Sequence, residues 1–291
     1  MTNAVVEEFI ASDGYRLQGR VWHPENQQVQ VTLVMLHGIQ SHSSWYEASC
    51  QQLCEYGASI YFFDRRGSGL NTPNRGHAAH WRRLVQDVVQ LLSRLRFQRE
   101  QSDHPAPIVL QGMSWGAKLA TVVAAERPDL TDGLALLYPG IKARVKATAV
   151  QQMQLSLAER LGIRDKRVPI PLSDPTLFTA DPDWQKWIQE DPLALHEVSV
   201  SFLLANRELD RRVDEAVEQI DCPVFCQLAG QDQIIDNRAT EVCFSRFRFD
   251  RKTLISYPEA RHTLEFEPDR EQMTADYINW LNEFVSSAKI C

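Results

Sequence analysis

Short apolar runs alternate with longer helical patterns along most of this chain, and this rhythm constrains the fold more than any other feature. Within the runs, apolar residues occupy both odd and even positions, whereas the intervening segments place them at the spacing of one helix face. Strands of this kind, separated by helices, predict a mostly parallel sheet with helices on both sides, which is the α/β class. The runs lie at residues 31–36, 59–63, 108–110, 133–138, 224–228 and 253–257.

The rhythm is interrupted between about residues 141 and 220. Because the strand pattern resumes at residue 224, we predict one α/β domain, residues 1–140 and 218–291, with a helical cap inserted at residues 141–217. Functional loops of such sheets follow the carboxyl ends of the strands, so we expect the cap to cover that edge. Within the cap, the sequence favours a helix at 145–161, a proline-rich loop at 168–175, short helices around Trp184, Trp187, Leu193 and Leu195, and a charge-rich helix at 202–217.

Composition and charge exclude several classes of protein. The chain has 31 Lys and Arg against 38 Asp and Glu, a net charge of −7, and it has no basic block that could neutralise nucleic-acid phosphates. Its apolar runs are far shorter than the roughly 20 residues that span a membrane. The N-terminal segment has neither the basic nor the apolar region of a secretory signal, so a cytoplasmic location is expected.

The spacing of cysteine and histidine predicts neither a metal site nor a cofactor. Six cysteines in 291 residues are too few for a disulfide scaffold, and the two CxxxC pairs lack the second ligand pair of a zinc site. His77 and His80 are spaced HxxH without the glutamate of the HExxH zinc motif. Gly67-Ser68-Gly69 lacks the third glycine of a dinucleotide fingerprint.

A GxSxG motif, Gly112-Met113-Ser114-Trp115-Gly116, lies between the run at 108–110 and a helical pattern that starts at Ala117. A serine on such a tight strand-to-helix turn projects its hydroxyl above the sheet, and the turn needs very small residues on either side. The helix that follows provides backbone N–H groups and the positive end of its dipole. An ordinary glycine-rich turn with a capping serine is the alternative, but the position between strand and helix favours Ser114 as a nucleophile.

A serine hydroxyl needs a general base that is held by an acid, and candidates for both follow later strands. Asp232 lies just after the run at 224–228 and His262 just after the run at 253–257, so both are expected at the same sheet edge as Ser114. A loop histidine without a partner is the alternative for His262. Asp236 is the rival of Asp232, but its position before a predicted helix favours a role as a helix cap.

The tetrahedral intermediate of acyl transfer needs two hydrogen-bond donors. The backbone N–H of Trp115, directly after the serine, is one candidate. The N–H of Ile39, in the loop after residues 31–36, is the other, and His37 in the same loop is expected to pack inside. The cap begins with the basic residues Lys142, Arg144 and Lys146, for which a solvated helix face is favoured over contact with lipid.

The chain resembles the α/β-hydrolase fold and, within it, the monoacylglycerol lipase and lysophospholipase-like serine hydrolases that are grouped with the serine aminopeptidase-like domain. This resemblance implies a triad of Ser114, Asp232 and His262 and an oxyanion hole formed by Ile39 and Trp115. The sequence departs from the family's HGxG loop at Gln40. The motifs that carry the resemblance are Ser12-Asp13-Gly14, His37-Gly38 with His42, Asp64-Arg65-Arg66-Gly67-Ser68-Gly69, Arg75-Gly76-His77, the Ser114 turn, Asp191-Pro192-Leu193, Gly230-Gln231-Asp232, His262 and Trp280-Leu281.

Together these features predict a serine carboxylic-ester hydrolase that acts through an acyl-enzyme on Ser114. A monoacylglycerol or lysophospholipid substrate is implied by the resemblance, and peripheral contact with a membrane is compatible with it. The same residues would also serve an aminopeptidase, thioesterase, lactonase or acyltransferase. A non-catalytic binding protein on this scaffold is disfavoured, because a site that no longer catalyses a reaction should lose at least one member of the triad. The oligomeric state stays open.

Overall fold

The computed structural model describes residues 3–145 and 148–288. Ten strands lie within these residues, and eight of them form one sheet. The strands are β1 (Val5–Ile10), β2 (Arg16–Trp22), β3 (Val31–Leu36), β4 (Ala58–Phe63), β5 (Ile108–Met113), β6 (Gly133–Leu137), β7 (Arg167–Pro169), β8 (Glu197–Ser199), β9 (Val224–Ala229) and β10 (Lys252–Tyr257).

The main sheet runs in the order β1-β2-β4-β3-β5-β6-β9-β10. The pairs β1–β2 and β2–β4 are antiparallel, and every pair from β4 to β10 across the sheet is parallel. The predicted mostly parallel sheet is therefore confirmed. Since β3 lies between β4 and β5, the direction in which successive strands are added reverses at β3. In open α/β sheets, ligands bind beyond the carboxyl ends of the strands at such a reversal.

Helices cover both faces of the sheet. On one face α2, α3 and α6 pack together, and on the other α1 packs against α8. The α-helices of the described residues are α1 (Glu47–Tyr56), α2 (Trp81–Glu100), α3 (Gly116–Glu126), α4 (Ala149–Arg160), α5 (Pro182–Glu190), α6 (Val200–Ala216), α7 (Asn237–Ser245) and α8 (Arg270–Ala288).

The central strands form a rigid platform. Every residue of β5 and of β9 is buried, and so is α3 from Gly116 to Ala124. Burial of a Val, Leu or Ile side chain stabilises a fold by about 1.5–3 kcal/mol, so the carboxyl ends of these strands are held firmly. The loops that follow β5 and β9 therefore begin at fixed positions.

Helix α6, in the segment predicted as the cap, packs against α2 and α3. Its Leu209 and Val213 are fully buried, and the Arg212 guanidinium lies 4.4 Å from the ring centre of Trp81 in α2. Lys118 of α3 forms a 2.5 Å ion pair with Asp210. These contacts join α6 to α2 and α3.

Two predictions for the inserted segment are wrong in detail. Part of the predicted loop at 168–175 is a strand, because β7 pairs antiparallel with β8; strands of three residues carry no periodic signal in a sequence. Leu193 and Leu195 lie outside any helix. Individual hydrogen bonds hold this irregular segment instead. The Leu193 N–H donates to the Asp191 carboxylate (2.9 Å), and the Leu195 N–H donates to the Gln40 carbonyl (2.9 Å).

The basic start of the predicted cap is not a helix face. Lys142 and Arg144 lie in irregular chain, Lys142 pairs with Asp214, and Lys146 lies outside the described residues. The helix begins instead at α4, where Thr148 and Gln151 form a capping box. Between residues 3 and 288, as far as the structure describes them, none of the helices combines the length and the apolar character needed to cross a bilayer.

Candidate active site

Ser114 lies on the sharp turn between β5 and α3 with a left-handed backbone, φ +48°. This conformation costs a residue other than glycine about 1–3 kcal/mol, and surrounding hydrogen bonds must hold it. The Ser114 N–H donates to the Leu137 carbonyl (3.0 Å), and the Ser114 carbonyl accepts from the N–H groups of Ala117 (3.0 Å) and Gly140 (2.7 Å). The turn is thus fixed by β6, by the loop that follows β6 and by its own helix.

The two glycines of the GxSxG motif are required by close backbone approach. A Cβ at Gly112 would lie 2.5 Å from the Ala117 Cα, and a Cβ at Gly116 would lie 2.2 Å from the Leu36 carbonyl oxygen. Both distances are far inside van der Waals contact. The absence of side chains therefore lets α3 start directly beside the end of β3, where the predicted oxyanion loop begins.

His262 follows β10 and bridges Ser114 and Asp232. Its Nε2 lies 2.9 Å from the Ser114 Oγ, and its Nδ1 lies 2.7 Å from the Asp232 Oδ2. The ring packs edge-on against Tyr138, with centroids 4.9 Å apart, and against Phe178 at 6.0 Å. These contacts hold the imidazole between the Ser114 hydroxyl and the Asp232 carboxylate.

The two aspartates that compete for the acid role have different partners. Asp232 is buried and contacts His262, whereas its Oδ1 accepts the N–H groups of Ile234 (2.8 Å) and Ile235 (2.9 Å). Asp236 caps α7, with its Oδ1 accepting from the Ala239 N–H at 3.0 Å. The structure brings Asp232, and not Asp236, to the histidine.

The predicted oxyanion donors flank the serine. A Cβ at Gly38 would lie 3.3 Å from the Ser114 Cβ, so the loop that carries Ile39 passes directly beside Ser114. Among the described residues, the backbone N–H groups of Ile39 and Trp115 have no acceptor. The Trp115 indole is held apart from this space, because its Nε1 donates to the Asn206 Oδ1 at 2.8 Å. Two N–H groups near the serine are therefore available to a ligand.

Tyr138 and Phe178, which contact the His262 ring, were not predicted as site residues. Tyr138 follows β6 with φ +36° and donates its N–H to the Gln227 carbonyl at 2.7 Å. Its position at the end of the apolar run 133–138 was an available signal. Phe178 comes from the inserted segment, where its carbonyl accepts the Thr263 N–H at 2.8 Å. Nothing in the local sequence indicates that contact.

The inserted segment is attached on both sides of the site. On the histidine side, Arg261 donates to the Thr176 carbonyl at 2.7 Å. On the side of the oxyanion loop, the Asp191 carboxylate accepts from the His42 Nε2 (2.8 Å) and the Trp45 Nε1 (2.7 Å). An aromatic cluster closes the space between the two attachments and contains Trp45, Phe178, Trp184, Trp187 and Phe266.

The described cysteine and histidine side chains were also candidates for a metal site. Among the described residues, no three His, Cys, Asp or Glu side chains are grouped so as to hold a metal ion. No disulfide joins the described cysteines, and burial raises the pKa of Cys50 and of Cys226 well above the ordinary value. Cys291 lies outside the described residues.

Comparison with known proteins identifies the family. The family model for serine aminopeptidase S33 (Hydrolase_4) matches residues 27–269. An abhydrolase domain-containing protein of Dictyostelium discoideum is 25% identical over 292 residues, which cover 99% of this chain and 30% of that protein. The monoglyceride lipase of Rattus norvegicus is 24% identical over 279 residues, 95% of this chain and 89% of that enzyme.

A solved structure shows the same architecture. The monoacylglycerol lipase of Paleococcus ferrophilus superimposes with a TM-score of 0.79 at 22% identity, covering 97% of this chain and 99% of that one. The resemblance inferred from the sequence motifs is therefore confirmed, as is the α/β-hydrolase fold. The chain belongs to the serine aminopeptidase S33 family of α/β hydrolases and is a carboxylic-ester hydrolase.

Proposed function

We propose that this chain cleaves the ester bond of a monoacylglycerol or of a lysophospholipid-like lipid through an acyl-enzyme on Ser114. The observation that carries the proposal is the continuous chain of two hydrogen bonds from the Ser114 Oγ through His262 to Asp232, 2.9 Å and 2.7 Å long. A hydroxyl, an imidazole and a buried carboxylate in this order form a proton-transfer path for acyl transfer.

The first half-reaction acylates the serine. The Ser114 Oγ attacks the acyl carbonyl carbon while His262 Nε2 takes the hydroxyl proton, and Asp232 stabilises the imidazolium that results. The carbonyl oxygen becomes an oxyanion and accepts hydrogen bonds from the N–H groups of Ile39 and Trp115. The bond to the leaving alcohol then breaks, and His262 donates its proton to the alcohol oxygen.

The second half-reaction reverses these roles with water as the nucleophile. His262 Nε2 takes a proton from water, and the resulting hydroxide attacks the acyl carbon of the ester on Ser114. The same N–H groups hold the second oxyanion. Its collapse releases the fatty acid and returns the proton from His262 to the Ser114 Oγ, which restores the enzyme.

We infer that the inserted segment, predicted as a cap at residues 141–217, covers this site and ends before α6. The packing of α6 on α2 and α3 supports a core role for that helix, which leaves residues 141–199 as the cap proper. A lipidic substrate is supported by α4, none of whose residues is buried. Four apolar side chains on or next to this helix point outward: Val150, Met153, Leu157 and Leu161.

The relatives support the lipid ester over the alternatives. The monoglyceride lipase of Rattus norvegicus aligns over 89% of its own length, whereas an aminopeptidase is suggested only by the family description. A thioesterase or an acyltransferase would use the same residues. The cytoplasmic location stays a prediction.

Product analysis tests the proposal. Purified protein is incubated with a monoacylglycerol, a lysophospholipid, an acyl-CoA and an aminoacyl p-nitroanilide, with and without an added alcohol acceptor. We expect free fatty acid and glycerol or glycerophosphodiester as the main products, with little acyl transfer to the alcohol. Faster release of p-nitroaniline, or acyl transfer that exceeds hydrolysis, would contradict the proposal and favour the peptidase or the acyltransferase.

A further inference from the structure

Arg65 contacts both residues of the proposed oxyanion hole, Ile39 and Trp115. It follows β4, whose carboxyl end lies next to that of β3 in the sheet. Its Nη1 donates to the Gly38 carbonyl at 3.2 Å, and its Nη2 donates to the Ile39 carbonyl at 3.0 Å. Its guanidinium carbon also lies 4.6 Å from the ring centre of Trp115. We propose that Arg65 is a positioning residue that orients and polarises the oxyanion loop of the proposed ester hydrolase.

His37 provides a second link in the same arrangement. The Arg65 backbone N–H can only donate, so the His37 Nε2 that lies 2.9 Å from it is the acceptor and carries no proton. The proton of the neutral ring therefore sits on Nδ1, which donates to the Gly38 carbonyl at 2.8 Å. Burial, followed by the charge of Arg65, holds the pKa of His37 well below its usual range, which keeps the ring neutral.

The Gly38 carbonyl thus accepts two hydrogen bonds, one from His37 and one from Arg65. This carbonyl belongs to the same peptide unit as the Ile39 N–H. Hydrogen bonds to the oxygen of a peptide polarise the unit and strengthen its N–H as a donor, because hydrogen bonds in a chain reinforce one another. The two donors also fix the orientation of that peptide, so the Ile39 N–H is aimed before a substrate binds.

Arg65 carries its charge without an ion-pair partner among the described residues. Its guanidinium carbon lies 4.6 Å from the ring centre of Trp115 and 5.3 Å from that of Phe202. Burial, opposed by the charge of Asp64, lowers the pKa of Arg65 to about 9, so it remains cationic near neutral pH. The neighbouring Arg66 differs, because it forms ion pairs with Asp13 and Asp87. The positive charge of Arg65 lies next to the Gly38 and Ile39 carbonyls. It therefore favours the negative charge that develops on an oxyanion bound to the Ile39 N–H.

The inference rests on the proposed ester hydrolysis, and its test uses Arg65→Met, Arg65→Lys and Arg65→Gln. Arg75→Met is the matched control, because Arg75 is also a partly buried arginine whose guanidinium donates to backbone carbonyls, those of Leu193 and Ala194. Turnover of p-nitrophenyl butyrate is measured per active serine, titrated with a fluorophosphonate. It is compared with turnover of the thionoester, whose sulfur is a poor hydrogen-bond acceptor.

We expect Arg65→Met to lower kcat by about ten- to a hundredfold with KM changed less than about threefold, since removal of a whole oxyanion donor costs about 10²–10³. The ratio of ester to thionoester turnover should fall with it, and Arg65→Lys should restore part of both. Arg75→Met should keep the wild-type ratio. A merely structural role for Arg65 would lower the melting temperature and leave this ratio unchanged.

Two results would overturn the inference, and they are distinguishable. If the wild-type protein turns over the ester and Arg65→Met retains its kcat and ratio, the positioning role is wrong while the proposed function stands. If the wild-type protein itself hydrolyses no ester, both are wrong. Should Arg65→Met not fold, the remaining pair decides: Arg65→Lys is expected to keep a higher ratio than Arg65→Gln, and equal ratios would contradict a role for the charge.

Discussion

The carboxylate of Asp232 holds His262 with one oxygen and fixes its own orientation with the other. Oδ2 lies 2.7 Å from the His262 Nδ1, and Oδ1 accepts the N–H groups of Ile234 and Ile235. A carboxylate anchored by backbone donors cannot rotate freely, so the imidazole is presented to Ser114 in one orientation. This relationship assigns different roles to the two aspartates of the loop.

Asp232→Asn should abolish most activity, whereas Asp236→Ala should not. An amide at position 232 disturbs the protonation and orientation of His262, for which a loss of about 10³–10⁴ in kcat is expected. Loss of the Asp236 cap should reduce the free energy of unfolding by about 1 kcal/mol and leave kcat within about threefold. Steady-state kinetics and urea unfolding of both variants measure this. The reverse ranking of the two kcat values would identify Asp236 as the acid.

Ser114→Gly should be more stable than Ser114→Ala. Both variants lack the Ser114 hydroxyl, but alanine must adopt the same left-handed backbone as the serine, φ +48°, and glycine adopts it without strain. We expect a difference of about 1 kcal/mol in the free energy of unfolding. Urea unfolding of the two inactive proteins provides the measurement. Equal stabilities would indicate that the turn stores no strain at this residue.

Glu265 should make the stability pH-dependent. This buried side chain accepts hydrogen bonds from the N–H (3.2 Å) and the hydroxyl of Ser49, and burial raises its pKa from 4.5 to about 7. Between these two values the folded state keeps a proton that the unfolded state has lost. The stabilising contribution of Glu265 is therefore complete below about pH 4.5 and is lost as the pH rises through about 7.

Glu265→Gln should remove this dependence. The neutral amide does not ionise, so the free energy of unfolding of wild type relative to the variant should fall by up to about 3 kcal/mol between about pH 4.5 and 8. Glu241→Gln, at an exposed position of α7, controls for the loss of one negative charge. Chemical unfolding at a series of pH values measures the difference. Parallel curves for wild type and Glu265→Gln would show that Glu265 is ionised throughout.

The exposed apolar face of α4 should contact lipid. Met153 is 67% and Leu157 55% exposed, and their spacing places them on one face of the helix. In Met153→Ser/Leu157→Ser, binding to vesicles of phosphatidylcholine and phosphatidylglycerol should weaken about tenfold or more, because each side chain loses apolar burial in the interface. Turnover of dispersed p-nitrophenyl butyrate should be unchanged.

Sedimentation with vesicles and activity on monoacylglycerol in those vesicles measure this effect. Gln154→Ser, which changes an exposed polar residue of the same helix, is the matched control and should bind as wild type does. If the double variant sediments with vesicles as well as the wild-type protein, α4 is not the contact surface.

The sheet and the positions of Ser114, Asp232 and His262 along it could be predicted from the sequence for one physical reason. Each residue follows an apolar run, and the carboxyl ends of parallel strands meet at one edge. Residues separated by as many as 148 positions were thus placed together without knowledge of any contact. The GxSxG glycines add a local signal, because backbone approach at that turn excludes larger residues.

The surroundings of the site could not be predicted in the same way. Phe178 reaches His262 from the inserted segment through a single backbone hydrogen bond, and β7 and β8 have three residues each. Arg65 donates to two carbonyls of another loop. Such contacts join irregular segments that are far apart in sequence, and hydrophobic periodicity does not encode them. The same holds for α6, whose amphipathic pattern predicts a helix but not its partner.

Labelling with a fluorophosphonate probe tests the central claim most directly. The probe forms a covalent phosphonyl ester only with an activated serine, and peptide mass spectrometry identifies the residue. We predict that the wild-type protein is labelled on Ser114, that Ser114→Ala is not labelled, and that His262→Gln is labelled at least about a hundredfold more slowly, because the general base is missing. A wild-type protein that remains unlabelled, or is labelled on another residue, would contradict the account.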